Sequence, residues 1–440
     1  MKTERTGLIP SMLAPGERQR DRVLHGRGVH LTLSTGEVVL DGGSLSSCIV
    51  GHCHPKVVEA VQRAASDVYV SDGNGYGPRD QAAEDLLGIA FGDDPWADGV
   101  ILTVASSEAG DLALMLAQML TEREVLVSRE RSYHGAVGFA REVSLHPLWS
   151  GALVAPMESA PVLNSPRGLA HVRQLPVPDC GLGVIDPSHD CYDTCLVDAD
   201  KLLEGSAAVI MDYSQGAVMP SAQYQDKLAD AARRAGSLWI ADETVTAFGR
   251  LGHPFAFHRG ESRPDIVTLG KGITGGAAPA GAIVLSRQVV ESMGDRRWKT
   301  SSTFRGQPLA VAAISATMHV VAEEGLVANA ASLGKWAESQ LRAMVSRHEC
   351  VKAVIGEGLL WLFELAVPEQ QAEGNWYGNA DSDTLPELVH QEALRRGAFI
   401  PVFSGQCVWL IPPLIIDQEH LGLIIEALDA ALSVADGYVA

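Results

Sequence analysis

Two short apolar runs, one ending at Asp242 and the other just before Lys271, constrain this chain more than any other stretch. The first reads Trp-Ile-Ala-Asp-Glu-Thr-Val-Thr-Ala-Phe-Gly-Arg over residues 239–250, and the second Asp-Ile-Val-Thr-Leu-Gly-Lys-Gly-Ile-Thr-Gly-Gly over residues 265–276. Apolar runs of this length, bounded by glycine and polar turns, read as buried strands. Open α/β sheets gather their ligands at the carboxyl edge of the strands. Asp242 and Lys271 therefore point to one site.

A lysine held between two glycines just past a buried strand is badly placed for a surface charge. Desolvated and partly neutral, it has the nucleophilic amine that condenses with an aldehyde to a Schiff base. An aspartate at the end of the neighbouring strand suits a protonated ring nitrogen, the partner that pyridoxal phosphate needs as an electron sink. These two residues alone leave a plainer alternative open, in which Lys271 caps its strand and Asp242 pairs with Arg250.

The rest of the chain supports a parallel sheet. Strands are expected at residues 100–104, 124–128, 207–212, 237–241 and 281–286, with helices at 111–120 and 225–235 between them, which is the alternation of βαβ units. Residues 22–41 alternate as a hairpin turned at Ser34-Thr-Gly36, and Pro55 opens a helix. Residues 157–205 are rich in Pro, Gly and Asp and read as irregular connection. After Pro308 come helices at 310–324, 328–347, 385–396 and 417–434, with strands at 359–365 and 407–411. The 440 residues are long enough for two domains at about 100–200 residues each. The division expected is an N-terminal segment of a small domain (1–75), a large domain (76–308) and the C-terminal part of the small domain (309–440).

Composition excludes several classes. With 46% hydrophobic and 20% charged residues the chain resembles a soluble enzyme, and no apolar run reaches the roughly 18 residues of a membrane helix. The start, Met-Lys-Thr-Glu-Arg-Thr, lacks the apolar core of a signal peptide, so a cytoplasmic location is expected. A formal charge of −20 repels nucleic acid; it suits a cationic substrate or simply keeps the chain soluble. Among seven cysteines, Cys180, Cys191 and Cys195 lie close in sequence, but their spacing matches no common zinc site and they read as free thiols. Gly51-His-Cys-His-Pro55 reads as a structural turn, and no metal is expected.

Residues 239–252 and 264–276 resemble the Asp-Glu-Val-x-Thr-Gly-Phe-Gly-Arg-x-Gly and Pro-Asp-Ile-Val-Thr-Leu-Gly-Lys-Gly-x-x-Gly-Gly signatures of class III (omega-type) pyridoxal-phosphate aminotransferases. Further words of that family recur in order from about residue 25 to 320. The resemblance implies a fold-type-I α/β protein: a large domain with a mostly parallel sheet, a smaller α+β domain, and a homodimer with shared active sites. It implies Lys271 as the Schiff-base lysine and Asp242 as the partner of the ring nitrogen. Ala105-Ser-Ser-Glu-Ala109 is similar to the family's Ser-Gly-Ser-Glu-Ala, which gives Ser106 and Ser107 the cofactor phosphate at a helix start. Here Ser106 stands where glycine is usual and Gly110 where asparagine is usual. Arg131-Ser-Tyr-His-Gly135 resembles the family's aromatic-His-Gly turn, with Tyr133 stacking on the cofactor ring. Thr244 takes the place of a valine against the ring face, and Val245 that of a glutamine at the ring hydroxyl. Thr300-Ser-Ser-Thr-Phe-Arg-Gly-Gln-Pro-Leu309 resembles Ser-Thr-Phe-x-Gly-Asn-Pro-Leu, in which Thr303 reaches the phosphate bound by the other subunit. Arg305 meets either the substrate or an ion-pair partner.

Substrate residues are the hardest to read. Tyr76 lies in a glycine-rich loop, Ser71-Asp-Gly-Asn-Gly-Tyr-Gly-Pro78, of the region that lines the active-site mouth in this family. In one subgroup the carboxylate of an amino acid is gripped by the arginine of Arg-x-x-Pro-Pro-Leu, a task suited to a bidentate guanidinium. This chain has Trp409 there, and Asp212-Tyr213 in place of the partner Glu-Pro. Either the task moves to Arg141, Arg250 or Arg305, or the amine lacks a carboxylate and stacks on an aromatic wall, as for an amino sugar, an aminocyclitol or a polyamine of antibiotic biosynthesis. The function expected is ping-pong amino transfer between a small-molecule amine and a carbonyl compound. The alternatives are a pyridoxal-phosphate epimerase, aminomutase or dehydratase on the same scaffold, or an inactive homologue that binds a partner.

Overall fold

The computed structural model describes residues 22–43, 46–92, 94, 96–145, 171–181, 190–191, 193–366, 385–404 and 407–439. At its centre is a seven-stranded sheet. Its spatial order is Ala97–Thr103, Gly281–Ser286, Ile266–Leu269, Leu238–Asp242, Ser206–Asp212, Val125–Arg129 and Val172–Leu175. Only Gly281–Ser286 runs against its neighbours; the ladders from Ile266–Leu269 outward to Val172–Leu175 are parallel. The six like-directed strands thus bring their carboxyl ends to one edge.

Parallel strands buried on both faces read as continuous apolar runs, and these do. Every residue of Ser206–Asp212 and of Ile266–Leu269 is buried. Alternate side chains nevertheless divide between two layers. Leu126, Ile210, Ile240, Ile266 and Ile283 pack with the helix Ser106–Thr121, while Val209, Met211, Trp239, Ala241 and Val267 join the main core. The helix face against the sheet is made of Ala109, Gly110, Leu112, Ala113, Leu116 and Ala117 among others, small enough for close approach. Asp212, Asp242 and Thr268 lie two residues beyond Ile210, Ile240 and Ile266. The period of two therefore puts them on the face that carries this helix.

Two smaller sheets flank the large one. The first joins Val23–Arg27, His30–Leu33 and Val38–Asp41 to Ala398–Phe399, and the second joins Val351–Glu357, Leu360–Leu365, Cys407–Leu410 and Val402–Ser404. N-terminal and C-terminal parts of the chain are thus stitched together by the parallel pairing of Leu40 with Ala398.

Where sequence expectations differ from the structure, the causes are local. The stretch 22–41 forms three strands rather than a hairpin, because Gly28 at φ 59° allows an extra tight turn before Val29. The glycine-rich loop ends in a helix, Gly77–Asp85, opened by Pro78 and continued as a π turn through Phe91. The described part of 157–205 holds the strand Val172–Leu175 at the sheet edge and the helix Ala199–Leu203. Residues 157–170, 182–189 and 192 of that region lie outside the described residues. From sequence a single helix is expected over 328–347 and no strand between it and residue 359. In its place stand Leu326–Arg342, a short helix Met344–Arg347, and the strand Val351–Glu357.

Candidate active site

Register decides what meets at the carboxyl edge. Asp212 is paired with Asp242, and Asp242 with Thr268, so two carboxylates and a hydroxyl stand side by side across three strands. Like charges placed directly opposite repel. Each aspartate is answered by its own cation or donor. Arg129, the last residue of its strand, donates from Nη2 to both oxygens of Asp212 at 3.0 and 2.9 Å. The backbone N–H groups of Ser214 and Gln215 donate to Asp212 Oδ1 at 3.1 and 2.7 Å.

Asp242 is held by a different set. His134 Nδ1 lies 2.8 Å from Oδ2, and since an ionised carboxylate only accepts, Nδ1 carries the proton. The backbone N–H of Thr244 and the Thr268 hydroxyl both donate to Oδ1 at 3.1 Å. Burial pushes the Asp242 carboxyl up, but the hydrogen bonds and charge of His134 and the donors of Thr244 more than reverse it, leaving the group below the usual carboxylate range. Asp242 is thus a carboxylate kept charged in a dry place.

Lys271 follows two residues after Ile266–Leu269, in a tight turn spanning Lys271–Thr274. Its φ of 41° puts a residue with a Cβ in the left-handed region, a strain of about 1–3 kcal/mol that clusters at functional sites. The side chain is half-buried. Burial lowers the pKa of its amine, and the nearby charge of Asp242 only partly opposes this. Gly270 makes the close approach possible: a Cβ there would stand 2.5 Å from Ser106 Cβ. The serine at the position where glycine is usual is accommodated because residue 270 has no side chain.

A narrow cleft is lined by Ser106, Tyr133, His134, Asp212, Ser214, Gln215, Asp242, Thr244, Val245 and Lys271. Of the residues expected from sequence, it brings together Lys271, Asp242, Ser106, Tyr133 and Thr244. A separate cavity of about 730 Å³ contains none of these groups. Ser106 and Ser107 begin the sixteen-residue helix, whose N-cap Ala105 offers no side-chain cap. Ser107 turns away from the cleft lining, and its Oγ accepts from the Ala136 N–H at 3.2 Å. Gly110 faces the His134 carbonyl, which a Cβ would approach to 3.0 Å, so the missing asparagine makes room for the 134–140 turn. Burial and the charge of Asp242 push the Tyr133 phenol up, so it enters the cleft as a neutral ring.

Besides Ser107, four expected residues lie outside the cleft lining. Thr303 is exposed, and its carbonyl accepts from the Asp72 N–H at 3.1 Å. Tyr76 is half-buried, with the Arg79 guanidinium 5.9 Å from its ring centroid. Trp409 is 7% exposed, paired across the ladder with Leu362 and packed in the main core rather than lining the cleft. Arg305 is buried beside Glu108 at 3.4 Å and Asp72 at 3.9 Å, the ion-pair option of the two weighed for it. Arg250 does not pair with Asp242. Its guanidinium donates to Ser46 Oγ at 3.1 Å, the Leu359 carbonyl at 2.9 Å and the Pro412 carbonyl at 2.5 Å, which corrects the plainer reading of that pair.

Arg129, His134, Thr268, Ser214 and Gln215 were given no role from sequence. The one signal for Arg129 was a charged residue closing an apolar strand, and its meaning depends on which strand lies beside it.

The donor set fits pyridoxal phosphate. A carboxylate kept charged suits a protonated pyridine nitrogen, an amine with a lowered pKa suits an aldehyde, and an uncapped helix start suits a phosphate. Two buried groups of the cleft, His134 Nε2 and Ser214 Oγ, have no hydrogen-bond partner among the described residues, which suits a lining that contacts a polar ligand.

Comparisons with known proteins agree. The profile of aminotransferase class-III matches residues 15–432. The ethanolamine-phosphate phospho-lyase homolog 1 of Caenorhabditis elegans is 31% identical over 399 residues, covering 87% of this chain and 82% of that one. An S-selective transaminase from an Arthrobacter species superposes with a TM-score of 0.88 at 27% identity, covering 98% of this chain and 97% of the other. An amine transaminase from an uncultivated Pseudomonas species, solved with pyridoxal phosphate bound, gives a TM-score of 0.83 at 26% identity over 99% and 100% of the two chains. With a lysine, a charged aspartate and a phosphate-ready helix start converging in one cleft, this chain belongs to the class-III aminotransferases, pyridoxal-phosphate enzymes of the fold-type-I α/β architecture.

Proposed function

We propose that this aminotransferase takes the amino group of a primary amine or amino acid and passes it to a carbonyl acceptor in two half-reactions at the Lys271 cleft, working as a homodimer in the cytoplasm. The observation that carries the reading is the half-buried Lys271 amine, its pKa lowered by burial, beside an Asp242 kept charged by His134. Pyridoxal phosphate, when bound, supplies the aldehyde that receives the amino group and the ring that takes up electrons.

The chain's own residues do the rest. Asp242 balances a positive ring nitrogen, and His134 and Thr268 fix the carboxylate's orientation. Tyr133 and Thr244 bound the space for a flat ring. The helix start at Ser106 presents backbone donors and its dipole to the phosphate. With cofactor and substrate bound, the Lys271 amine would act as the base, taking a proton from the substrate carbon at Nζ and giving that proton back from the same atom to complete the half-reaction.

The arginine pairings bear on substrate. Arg250 and Arg305 are engaged within the protein, Arg141 Nη1 lies 3.6 Å from Glu142 Oε1, and none of the three lines the cleft, which speaks for an amine without a carboxylate beside the reacting carbon. The amino sugar or aminocyclitol substrate draws no support from the relatives, whose names speak of amino acids such as alanine and acetylornithine as well as of amines. A homodimer is supported by the exposed Thr303 and its neighbour Phe304, 69% exposed. The seven cysteines, none in a disulfide, suit a reducing compartment.

Purified holoenzyme offered a panel of amines with pyruvate or 2-oxoglutarate is expected to form one ketone or aldehyde per amino acid made. Lys271→Ala is expected to lower that rate by about 10²–10⁴-fold or more; undiminished transfer by the variant would end the reading. A second reading, elimination of phosphate from a phosphorylated amine, is favoured by the name of the 31% identical Caenorhabditis relative. Release of inorganic phosphate from phosphoethanolamine without any carbonyl acceptor would favour it over transfer.

A further inference from the structure

Cys180, Cys191 and Cys195, read from sequence as free thiols whose spacing matches no common zinc site, come together in space. Their three Sγ atoms all lie within 4.8 Å of one another, and Cys180 Sγ is 3.5 Å from Cys191 Sγ. The turn from 191 to 195 arranges this: the N–H groups of Cys195 and Leu196 both donate to the Cys191 carbonyl at 2.9 and 2.8 Å, so residues 191 and 195 sit one helical turn apart. Cys180 comes from the separate turn Asp179–Gly181. Sulfurs about 2.3 Å from a common tetrahedral zinc ion are themselves about 3.8 Å apart. Three points mutually within 4.8 Å always have a common centre within about 2.8 Å of each, so only a small contraction brings all three to zinc–sulfur distance.

We propose that these three cysteines form a thiolate site for one zinc ion, separate from the Lys271 cleft. On binding, three S–H bonds give their protons to solvent and three zinc–sulfur bonds form, with no change of oxidation state. The fourth position falls to solvent from the cavity of about 730 Å³, which Cys180 and Cys191 line together with Ser221 and Gln223. The ion ties Cys180 and Cys191 to the amino end of the helix Ala222–Ala235, where Ser221 Oγ, the N-cap, lies 3.4 Å from Cys191 Sγ. A disulfide accounts for the geometry less well, since it joins two sulfurs and leaves the third beside them. Burial pushes the Cys180 thiol up to about 12 and raises that of Cys191; a dication reverses that balance, because coordination deprotonates a thiol outright.

The test uses reduced holoenzyme given zinc chloride and then dialysed against metal-free buffer, with metal counted by plasma mass spectrometry and the zinc shell read by X-ray absorption. One zinc per chain with three sulfurs at about 2.3 Å is expected, and Cys191→Ser and Cys195→Ser are each expected to lose the retained zinc while keeping bound pyridoxal phosphate as the sign of a folded chain. Zinc not retained by the wild type, a shell of nitrogen and oxygen only, zinc unchanged in both variants, or a Cys180–Cys191 disulfide in the reduced preparation's peptide map would each overturn the site. If the variants do not fold, the absorption spectrum of the wild type decides alone.

Discussion

Adjacent carboxylates at 242 and 243 are driven in opposite directions by their surroundings. Asp242 is stabilised as an anion by His134 and Thr244, whereas burial raises Glu243 to about 7 despite hydrogen bonds from the Thr246 hydroxyl at 2.5 Å and the Phe257 N–H at 2.9 Å. The native state therefore holds the Glu243 proton up to about 7, while the unfolded chain loses it near the ordinary value of 4.5. Between those values the native state binds more protons, so stability declines as pH rises through this window and stays lower above it. The difference amounts to roughly 3 kcal/mol at most. Glu243→Gln, which mimics the neutral acid, is expected to lose this slope and to match or exceed the wild type at pH 8. Denaturation midpoints from pH 5 to 8 that fall in parallel for both proteins would show that Glu243 is not the titrating group. The two neighbouring carboxyl groups are thus driven apart by environment, one side chain facing the cleft and the other the loop at 256–257.

At the scale of elements, the turn after Leu238–Asp242 is the place where the large sheet is fastened to the smaller ones. Arg250 is fully buried and bridges Ser46, Leu359 and Pro412 from three distant segments. Burial lowers it to about 9, with Asp41 and Cys48 opposing, so a guanidinium is retained there at a desolvation cost. Removing it leaves two buried carbonyls without a donor, each worth about 1–3 kcal/mol. Arg250→Met is expected to destabilise the protein by about 2–5 kcal/mol, seen as a lower urea midpoint. A midpoint equal to the wild type would mean that water or a neighbour satisfies the carbonyls.

For the whole molecule, the segments at 68–72 and 302–305 are tied together by the Asp72 N–H to the Thr303 carbonyl at 3.1 Å and by the Ser302 N–H to Asp72 Oδ2 at 3.3 Å. They carry Tyr69 and Phe304, 77% and 69% exposed, large apolar groups of the kind that mark an interface. Phe304→Glu is expected to shift the proposed dimer to monomer in light scattering and to lower activity with it. A variant that stays dimeric and fully active would place the interface elsewhere. Much of the architecture was readable from the chain alone: the apolar strands, the helix starts, and the two strand ends that carry Asp242 and Lys271. These follow from contacts between residues near in sequence, through side-chain periodicity and the backbone limits of glycine and proline. Other features were not readable. The answering of Asp212 by Arg129, the support of Asp242 by His134 and Thr268, the burial of Trp409 and the meeting of three cysteines from two turns all depend on strand order and register. Neighbours across a sheet are chosen by how the whole chain crosses over and packs, so an isolated stretch determines which group stands at a strand's end, and only the tertiary structure decides what stands next to it.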